Sequence, residues 1–385
     1  MLPSSSSTFS SEHAPPTRQN RRVLLGRLLG IALWTTGALI LIDVAVGLAF
    51  RPPSDPRWAS SLQTYFDYGR SIEGKLRREV GSTPEQDAAI VKAGWIANEC
   101  DVATATPPGR LGFDIYGMSF SDQIADQMER LDHRLARRRF SGPAAPPNHS
   151  YACYIRRVNA GRERAPIQIM GVLASSVERM ETISGLTTSF EAPQPFTYPR
   201  YSLTADGHLE GHSPSIATPD DLRAALADPV RWRAFLDELA ANDAFYVQQL
   251  VRADIFDHSV IARMIRRAWG QRVLRDRTAA LRATDGFSGA PEIALVLRAL
   301  LLDFAAKARK AAERPMVILI EDRGYGSALS RMVAPALQAN RVDFVATSAI
   351  ASPDDAHNFE GDGHFIPEAN EKIARAVLDL LDPAP

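Results

Sequence analysis

The chain has 385 residues, with 44 basic and 45 acidic side chains and a formal net charge of −1. A balance this close to neutral argues against nucleic acid or another highly charged polymer as partner. Two cysteines, Cys100 and Cys153, without a CxxC pair or a Cys/His cluster, argue against a structural zinc site.

Residues 1–20 are rich in Ser, Pro and Thr and lack apolar periodicity, so residues 1–22 are expected to be a disordered cytoplasmic tail. Residues 28–50 are then almost wholly apolar, and residues 23–50 are expected to cross a bilayer as one helix. Its one acid is Asp43. Arg18, Arg21, Arg22 and Arg27 precede the run, which keeps the N-terminus inside and the bulk of the chain outside. Arg51 and Arg57 weaken that asymmetry. A cleaved signal peptide would have a shorter core and a small-x-small site, whereas this run is long and ends Gly47-Leu48-Ala49-Phe50-Arg51. The expectation is a single-pass, uncleaved anchor in a bacterial inner membrane, with the domain in the periplasm. There Cys100 and Cys153 either pair or stay as buried thiols.

Residues 51–385 are expected to form one domain; about 330 residues suffice for a large core with insertions. Residues 58–78 and 84–97 show helical spacing. The polar stretch from Tyr68 to Lys75 reads as a helix surface with ion pairs, or as a segment near substrate. Residues 111–116 are a short apolar run bounded by glycines, as a buried parallel strand requires. Ser121 is expected to cap a helix over residues 122–139, with Ile124, Met128, Leu131 and Leu135 on one face and Arg134 to Arg139 at its end. A loop over residues 141–148, a helical piece at 151–158 and a strand at 167–173 follow. From 177 to 314 the strand–helix alternation lapses, and this stretch is expected to be a large, mostly helical insertion. It holds a hairpin at Asp206-Gly207 and helices at 219–227, 230–251, 260–275 and 291–312. Strands at 316–320 and 342–348 and helices at 325–340 and 367–381 complete the chain. Pro367 suits a first helical position, and Ile373, Ala376, Val377, Leu380 and Leu381 form that helix's core face. Alternation at both ends implies an α/β fold, a parallel sheet with helices on both faces.

Ligands of such sheets bind beyond the carboxyl ends of the strands. Ser119 follows the first strand, Gly142 a second short one, Ser175 the third, and Asp362 and His364 the last. All fall on one rim. Ser119 would be the nucleophile, His364 its general base, and Asp362 the group that holds the imidazole. Backbone N–H groups of Ser119 and Gly142 would receive the oxyanion, each worth about 3–4 kcal/mol in the transition state. The plainer readings are a helix cap for Ser119 and a loop ion pair for Asp362 and His364. An α/β-hydrolase elbow is disfavoured, because it needs Gly-x-Ser-x-Gly midway through a sheet. Glu321 and Asp322 end a strand on the same rim and are alternative partners for His364. Asn242-Asp243 and the face carrying Asp257, His258, Ser259, Arg263, Arg266 and Arg267 read as solvated surface, the latter with an anionic glycan as an alternative contact. Phe196, Tyr198 and Tyr201 read as core or as the lining of a saccharide groove. His149 is either structural or borders the site.

Gly117-Met118-Ser119-Phe120-Ser121, Gly142 in Ser141-Gly142-Pro143, and Asp362-Gly363-His364 ahead of Pro367-Glu368-Ala369-Asn370 together resemble the blocks of the SGNH, or GDSL-like, hydrolase family. Met118 stands where that family usually has Asp, and Gly171-Val172-Leu173-Ala174-Ser175 lacks the third-block Asn. Asn148 or Ser175 would then supply the missing oxyanion donor. The layout is similar to envelope-anchored bacterial members that make or modify surface polysaccharide. The resemblance implies a three-layer α/β/α sandwich of flavodoxin-like type, serine ester chemistry on acyl, above all acetyl, groups of carbohydrate or lipid, and no metal or cofactor. The other expectation, motivated by Met118 and the missing Asn, is a catalytically inactive member that binds glycan or envelope proteins.

Overall fold

The computed structural model describes residues 18–53, 55, 58–101, 105–282 and 286–381, so residues 1–17 of the expected tail lie outside the described residues. The first helix, α1, runs Arg18–Ala49. Its segment Leu25–Ala49 has mean hydropathy 2.0 with none of it buried, and is long and apolar enough to cross a membrane. The expected helices at 58–78 and 84–97 are broken into α2 (Ser61–Asp67), α3 (Ile72–Glu79), α4 (Ala89–Lys92) and α5 (Ile96–Cys100). Gly69 and Ser71 interrupt the first pair: a Cβ at Gly69 would sit 1.7 Å from the Arg263 carbonyl oxygen, and Ser71 caps α3 through the Gly74 N–H.

The core sheet uses β1 (Leu111–Gly117), β2 (Leu135–Ser141), β3 (Ile167–Leu173), β6 (Arg314–Ile320) and β7 (Asp343–Ala346). The order is β2-β1-β3-β6-β7, every pair parallel. Between these strands lie α6 (Ser119–Leu131), α7 (Pro147–Asn159), the hairpin β4 (Arg200–Leu203) with β5 (Leu209–His212), and α8 (Pro219–Ala227). There follow α9 (Pro229–Asn242), α10 (Gln248–Val251), α11 (Val260–Arg282), α12 (Pro291–Lys310) and α13 (Ala328–Ala339), with α14 (Pro367–Leu381) last.

The strand β2 corrects the expected helix over residues 122–139. The helix ends at Leu131, and Asp132 turns extended at φ −129°, ψ 98°. Leu135 mimics the helical stripe because it packs in the same apolar cluster as Ile124 and Met128, but from a strand. Arg138 points into the protein, where its guanidinium meets both Asp114 oxygens at 2.6 and 2.9 Å.

Apolar side chains of the strands divide between two clusters. Phe113, Ile115, Ile169 and Ile318 pack with α6 and α14; Tyr116, Met170, Val172 and Val317 pack with α7, α12 and α13. Helices thus cover both faces of the sheet. Although expected within the insertion, α12 packs directly on β6. A third cluster gathers Leu76, Trp95, Phe190, Phe196, Leu222, Trp232 and Phe235 from α3, the residue ahead of α5, the segment between β3 and β4, α8 and α9.

In three polar stretches read as surface, Lys75, Asp243, Asp257, Arg263 and Arg266 are buried instead, while His258 is exposed as expected. Asp257 accepts the Ser71 N–H at 2.7 Å and the Arg266 guanidinium at 2.6 Å, and Arg263 meets Asp67 at 2.6 Å. The Lys75 ammonium reaches the Phe190 carbonyl, and burial lowers its pKa to about 7. Asp243 accepts the Thr187 hydroxyl at 2.7 Å, and burial raises its pKa to about 7. Each has its partner on a distant stretch of chain, which amphipathic spacing cannot reveal. Cys100 and Cys153 form a disulfide that joins α5 to α7, with 5.3 Å between Cα atoms.

Candidate active site

Strand β1 ends at Gly117, Met118 stays extended at φ −140°, ψ −171°, and Ser119 opens α6. The first i→i−4 bond of α6 runs from the Asp122 N–H to the Met118 carbonyl at 3.1 Å. The N–H groups of Ser119, Phe120 and Ser121 therefore have no intrahelical partner, and the helix dipole adds positive potential there. Ser121 is not the cap expected of it. Its hydroxyl is wholly buried between strands: a Cβ at Gly117 or Gly171 would meet it at 2.3 or 2.0 Å. Those two glycines make the space that lets the helix start this close to the sheet.

The Ser119 Oγ lies 2.7 Å from the His364 Nε2. The Nδ1 of the same ring lies 3.0 Å from Asp362 Oδ2, while Asp362 Oδ1 accepts the His364 backbone N–H at 3.0 Å. The hydroxyl donating to Nε2 leaves the ring proton on Nδ1, within ion-pair distance of the carboxylate but not aligned for a hydrogen bond to it. The backbone N–H of His364, and then its ring, hold the Asp362 carboxyl below the usual carboxylate range. The loop around His364 is a tight turn. Glu360 N–H donates to the His364 carbonyl at 2.7 Å, Gly363 N–H to the Glu360 carbonyl at 3.1 Å, and Gly363 sits at φ +93°, where a side chain would strain the turn.

Two further residues orient the pair. Phe120 stacks on the imidazole, with ring centroids 4.6 Å apart and planes at 27°. Asn370, in the first turn of α14, donates to the Phe365 carbonyl at 3.1 Å and to Gln123 of α6 at 3.3 Å. It ties the His364 loop to the Ser119 helix. The sequence assigned neither a role; the signal was their place in the two blocks that carry Ser119 and His364.

The β1–β2 register aligns Gly117 with Ser141, which brings Gly142 alongside Met118 at the rim. A Cβ on Gly142 would meet the His149 ring at 3.0 Å. His149 is fully buried, donates from Nε2 to the Gly94 carbonyl at 2.7 Å, and has its pKa lowered to about 4 by burial, so it stays neutral. It packs behind Gly142 as a wall. The Asn148 amide is also buried and donates to the Met180 carbonyl at 3.0 Å. Ser175 gives its N–H to Asp322 at 3.1 Å, and Glu321 accepts the Ser330 N–H at 2.9 Å and its hydroxyl at 2.7 Å. Asp362 is thus the carboxylate on His364, and Glu321 and Asp322 are engaged elsewhere. Phe196 and Tyr198 are core residues at 1% exposure; Tyr201 is half-buried against Tyr151.

Asp122, in the first turn of α6, accepts the Ser141 hydroxyl at 2.9 Å and pairs with Arg139 at 2.7 Å. Burial raises its pKa to about 6. Among the described residues, no group of three or more His, Cys, Asp or Glu side chains is placed to hold a metal ion. The arrangement supplies a hydroxyl, a base, a carboxylate on that base, and backbone donors beside the hydroxyl. No family model matches the chain, and no curated protein matches it.

Proposed function

We propose that this chain is a membrane-anchored serine esterase or O-acyltransferase of SGNH type, acting on acyl esters, with acetyl the reading adopted, of envelope or exported polysaccharide. The observation that carries the reading is the contact of Ser119 Oγ with His364 Nε2 at 2.7 Å, with Asp362 on the far side of the ring. The hydroxyl attacks the ester carbonyl carbon as its proton passes to Nε2. The oxyanion that forms faces the N–H groups of Ser119 and Gly142. His364 then returns the proton to the departing alcohol oxygen as the C–O bond breaks, leaving acyl-Ser119. Water completes hydrolysis, or a sugar hydroxyl completes transfer, with His364 taking the incoming proton. In this reading the helices on both sheet faces are the outer layers of an α/β/α sandwich, and the elements between β3 and α12 are an insertion into it. The apolar part of α1 crosses the bacterial inner membrane, with the domain in the periplasm, a compartment that suits the disulfide.

The test is turnover of an acetyl ester by the full chain in detergent, with labelling by a fluorophosphonate probe. Wild type is expected to turn over and label, and Ser119→Ala to do neither. Retention of the wild-type rate by Ser119→Ala would sink the assignment. The second reading, an inactive binder of glycan or envelope protein, is favoured by one observation. The Asn148 amide is committed to the Met180 carbonyl, and no Asn stands in the third block. Glycan binding by folded protein that never labels would select it.

A further inference from the structure

Eleven large apolar side chains outside α1 are exposed among the described residues. Seven belong to one neighbourhood: Trp58, Leu62 and Tyr65 at α2, Ile255 and Phe256 in the turn Ile255–His258, and Ile265 and Trp269 on α11. The other four, Leu111, Val230, Leu295 and Leu380, lie on four different elements. Scattered exposed apolar residues are ordinary, but a concentration of this kind marks a surface with a partner.

That neighbourhood surrounds the exit of α1. The Phe50 and Phe66 rings pack 4.8 Å apart, which sets α2 against the end of α1. Asp43 of α1 accepts the Ile261 N–H at 2.7 Å and the Ser259 hydroxyl at 3.1 Å, at the N-terminus of α11. Arg267 of α11 lies over the Tyr65 ring at 4.7 Å. Ile261, Ile265 and Trp269 recur every four residues, so they line one face of α11.

The length of α1 sets the depth. The apolar segment has 25 residues. At about 1.5 Å per residue it is about 37 Å long, against a hydrocarbon core of about 30 Å. The excess is about 7 Å, so with that excess at this end the last turn of α1 projects beyond the core. Asp43 lies six residues before Ala49, about 9 Å along the axis, which puts its carboxylate and the start of α11 at the boundary between the core and the headgroups. There the carboxylate faces the positive end of a helix rather than lipid tails. A cavity of about 870 Å³ on the same side is lined by Arg51, Arg70, Arg77, Arg78 and His258, with Asp55 its one acidic residue. Arg70 and Arg78 of that lining pair with Asp67, and Arg77 with Glu73; the lining still carries more basic than acidic side chains, which suits lipid phosphates, and Trp and Tyr favour the interface.

We infer that the face formed by α2, the turn Ile255–His258 and α11 lies in the headgroup interface of the leaflet from which α1 emerges, so that the domain rests on the bilayer in one orientation. This rests on the reading of α1 as an anchor. Its consequence is that the Ser119 site keeps a fixed height and heading relative to the membrane.

The experiment uses the full chain, disulfide intact, in nanodiscs of phosphatidylcholine and phosphatidylglycerol. An environment-sensitive fluorophore is attached in turn to Ile40→Cys, Phe256→Cys and Leu295→Cys. Phospholipid carrying a nitroxide high on its acyl chain is the quencher. Most of the fluorescence of the Ile40→Cys and Phe256→Cys proteins should be lost, that of Phe256→Cys with a blue-shifted emission, while the Leu295→Cys protein is unaffected. Quenching at Ile40→Cys but not at Phe256→Cys overturns the inference and leaves the anchor standing. A blue-shifted Phe256→Cys emission that the nitroxide fails to quench also overturns it, in favour of a protein partner on this face. No quenching at Ile40→Cys removes the anchor and this inference with it. Fluorophosphonate labelling of Ser119 in the same nanodiscs reads the proposed chemistry separately. Phe256 and Leu295 are both more than half exposed, so neither substitution threatens the core.

Discussion

Breaking the disulfide should cost stability and loosen the wall behind Gly142. Cys100 ends α5 and Cys153 lies one turn after His149 on α7, a sequence separation of 53. Closing a loop of that length lowers the entropy of the unfolded chain enough to stabilise the fold by about 4 kcal/mol. The bond also keeps α5 beside α7, where His149 reaches the Gly94 carbonyl at 2.7 Å and packs against Gly142. Replacing both cysteines by Ala should therefore lower unfolding free energy by about 4 kcal/mol and lower ester turnover at temperatures where the protein is still folded. The assay is urea unfolding of the full chain in detergent, followed by tryptophan emission, since Trp95 sits in the core next to α5. Thiol titration establishes that the wild type is oxidised. Unfolding midpoints of oxidised wild type and double variant that coincide would refute the cross-link argument.

Phe120→Ala removes the ring that stacks on the imidazole while leaving Ser119 and His364 in place; loss of about 1 kcal/mol of orientation should lower kcat about fivefold, and an unchanged kcat would count against a positioning role. Asp243 should make the protein less stable as pH rises. Its native pKa of about 7 exceeds the unfolded value of 3.8, so the native state holds the extra proton between those values and stability falls across that window. The span is roughly 4 kcal/mol, and Asp243→Asn should equal wild type near pH 4 and exceed it at pH 8 in urea midpoint; parallel profiles would refute the burial argument. Arg138→Met leaves Asp114 buried without its guanidinium and should destabilise by about 3–5 kcal/mol, whereas Asp114→Leu with Arg138→Met should recover most of that loss. Thermal melts of wild type and these two variants check the pair.

Sequence made parts of this fold legible because their signals are local. The apolar run at 167–173 is bounded by polar residues on one side and small ones on the other, and β3 occupies it; Pro219 and Pro367 each sit at a helical first turn, and α8 and α14 begin there. The strand β2 was hidden because Leu-Ala-Arg-Arg-Arg-Phe-Ser carries three guanidiniums. Its burial depends on Asp114 of the neighbouring strand, which no window of β2 contains. The rim position of Ser119 and His364 was readable from chain order, and the two are in contact. Their part in catalysis rests on the labelling and turnover experiment. What chain order could not give was the loop geometry at Gly363 or the Asn370 tie, since both depend on how the last helix packs on α6.

The polar contacts that α2 and the start of α3 make with α11 and the turn ahead of it show the same limit and say something about the architecture. Periodicity identifies a polar face but not whether another polar face covers it. Asp257 and Ser71, 186 residues apart, cover one another, as do Asp67 and Arg263. Burying such pairs contributes little net stability against apolar replacements, but removing one partner is costly. Their effect is specificity: α2 seats on α11, and the start of α3 on the turn Ile255–His258, in one register only. Because α11 also binds Asp43 of α1, that register couples α1 to the domain. Replacing Asp67 and Arg263 by Leu and Met also takes from Arg70 and Arg78 the carboxylate they share, so thermal stability should fall while the heading of the domain inferred above relaxes. Fluorescence anisotropy of a label on the Leu295→Cys protein in nanodiscs should fall in that variant, and unchanged anisotropy would show that the register is held by apolar contacts instead.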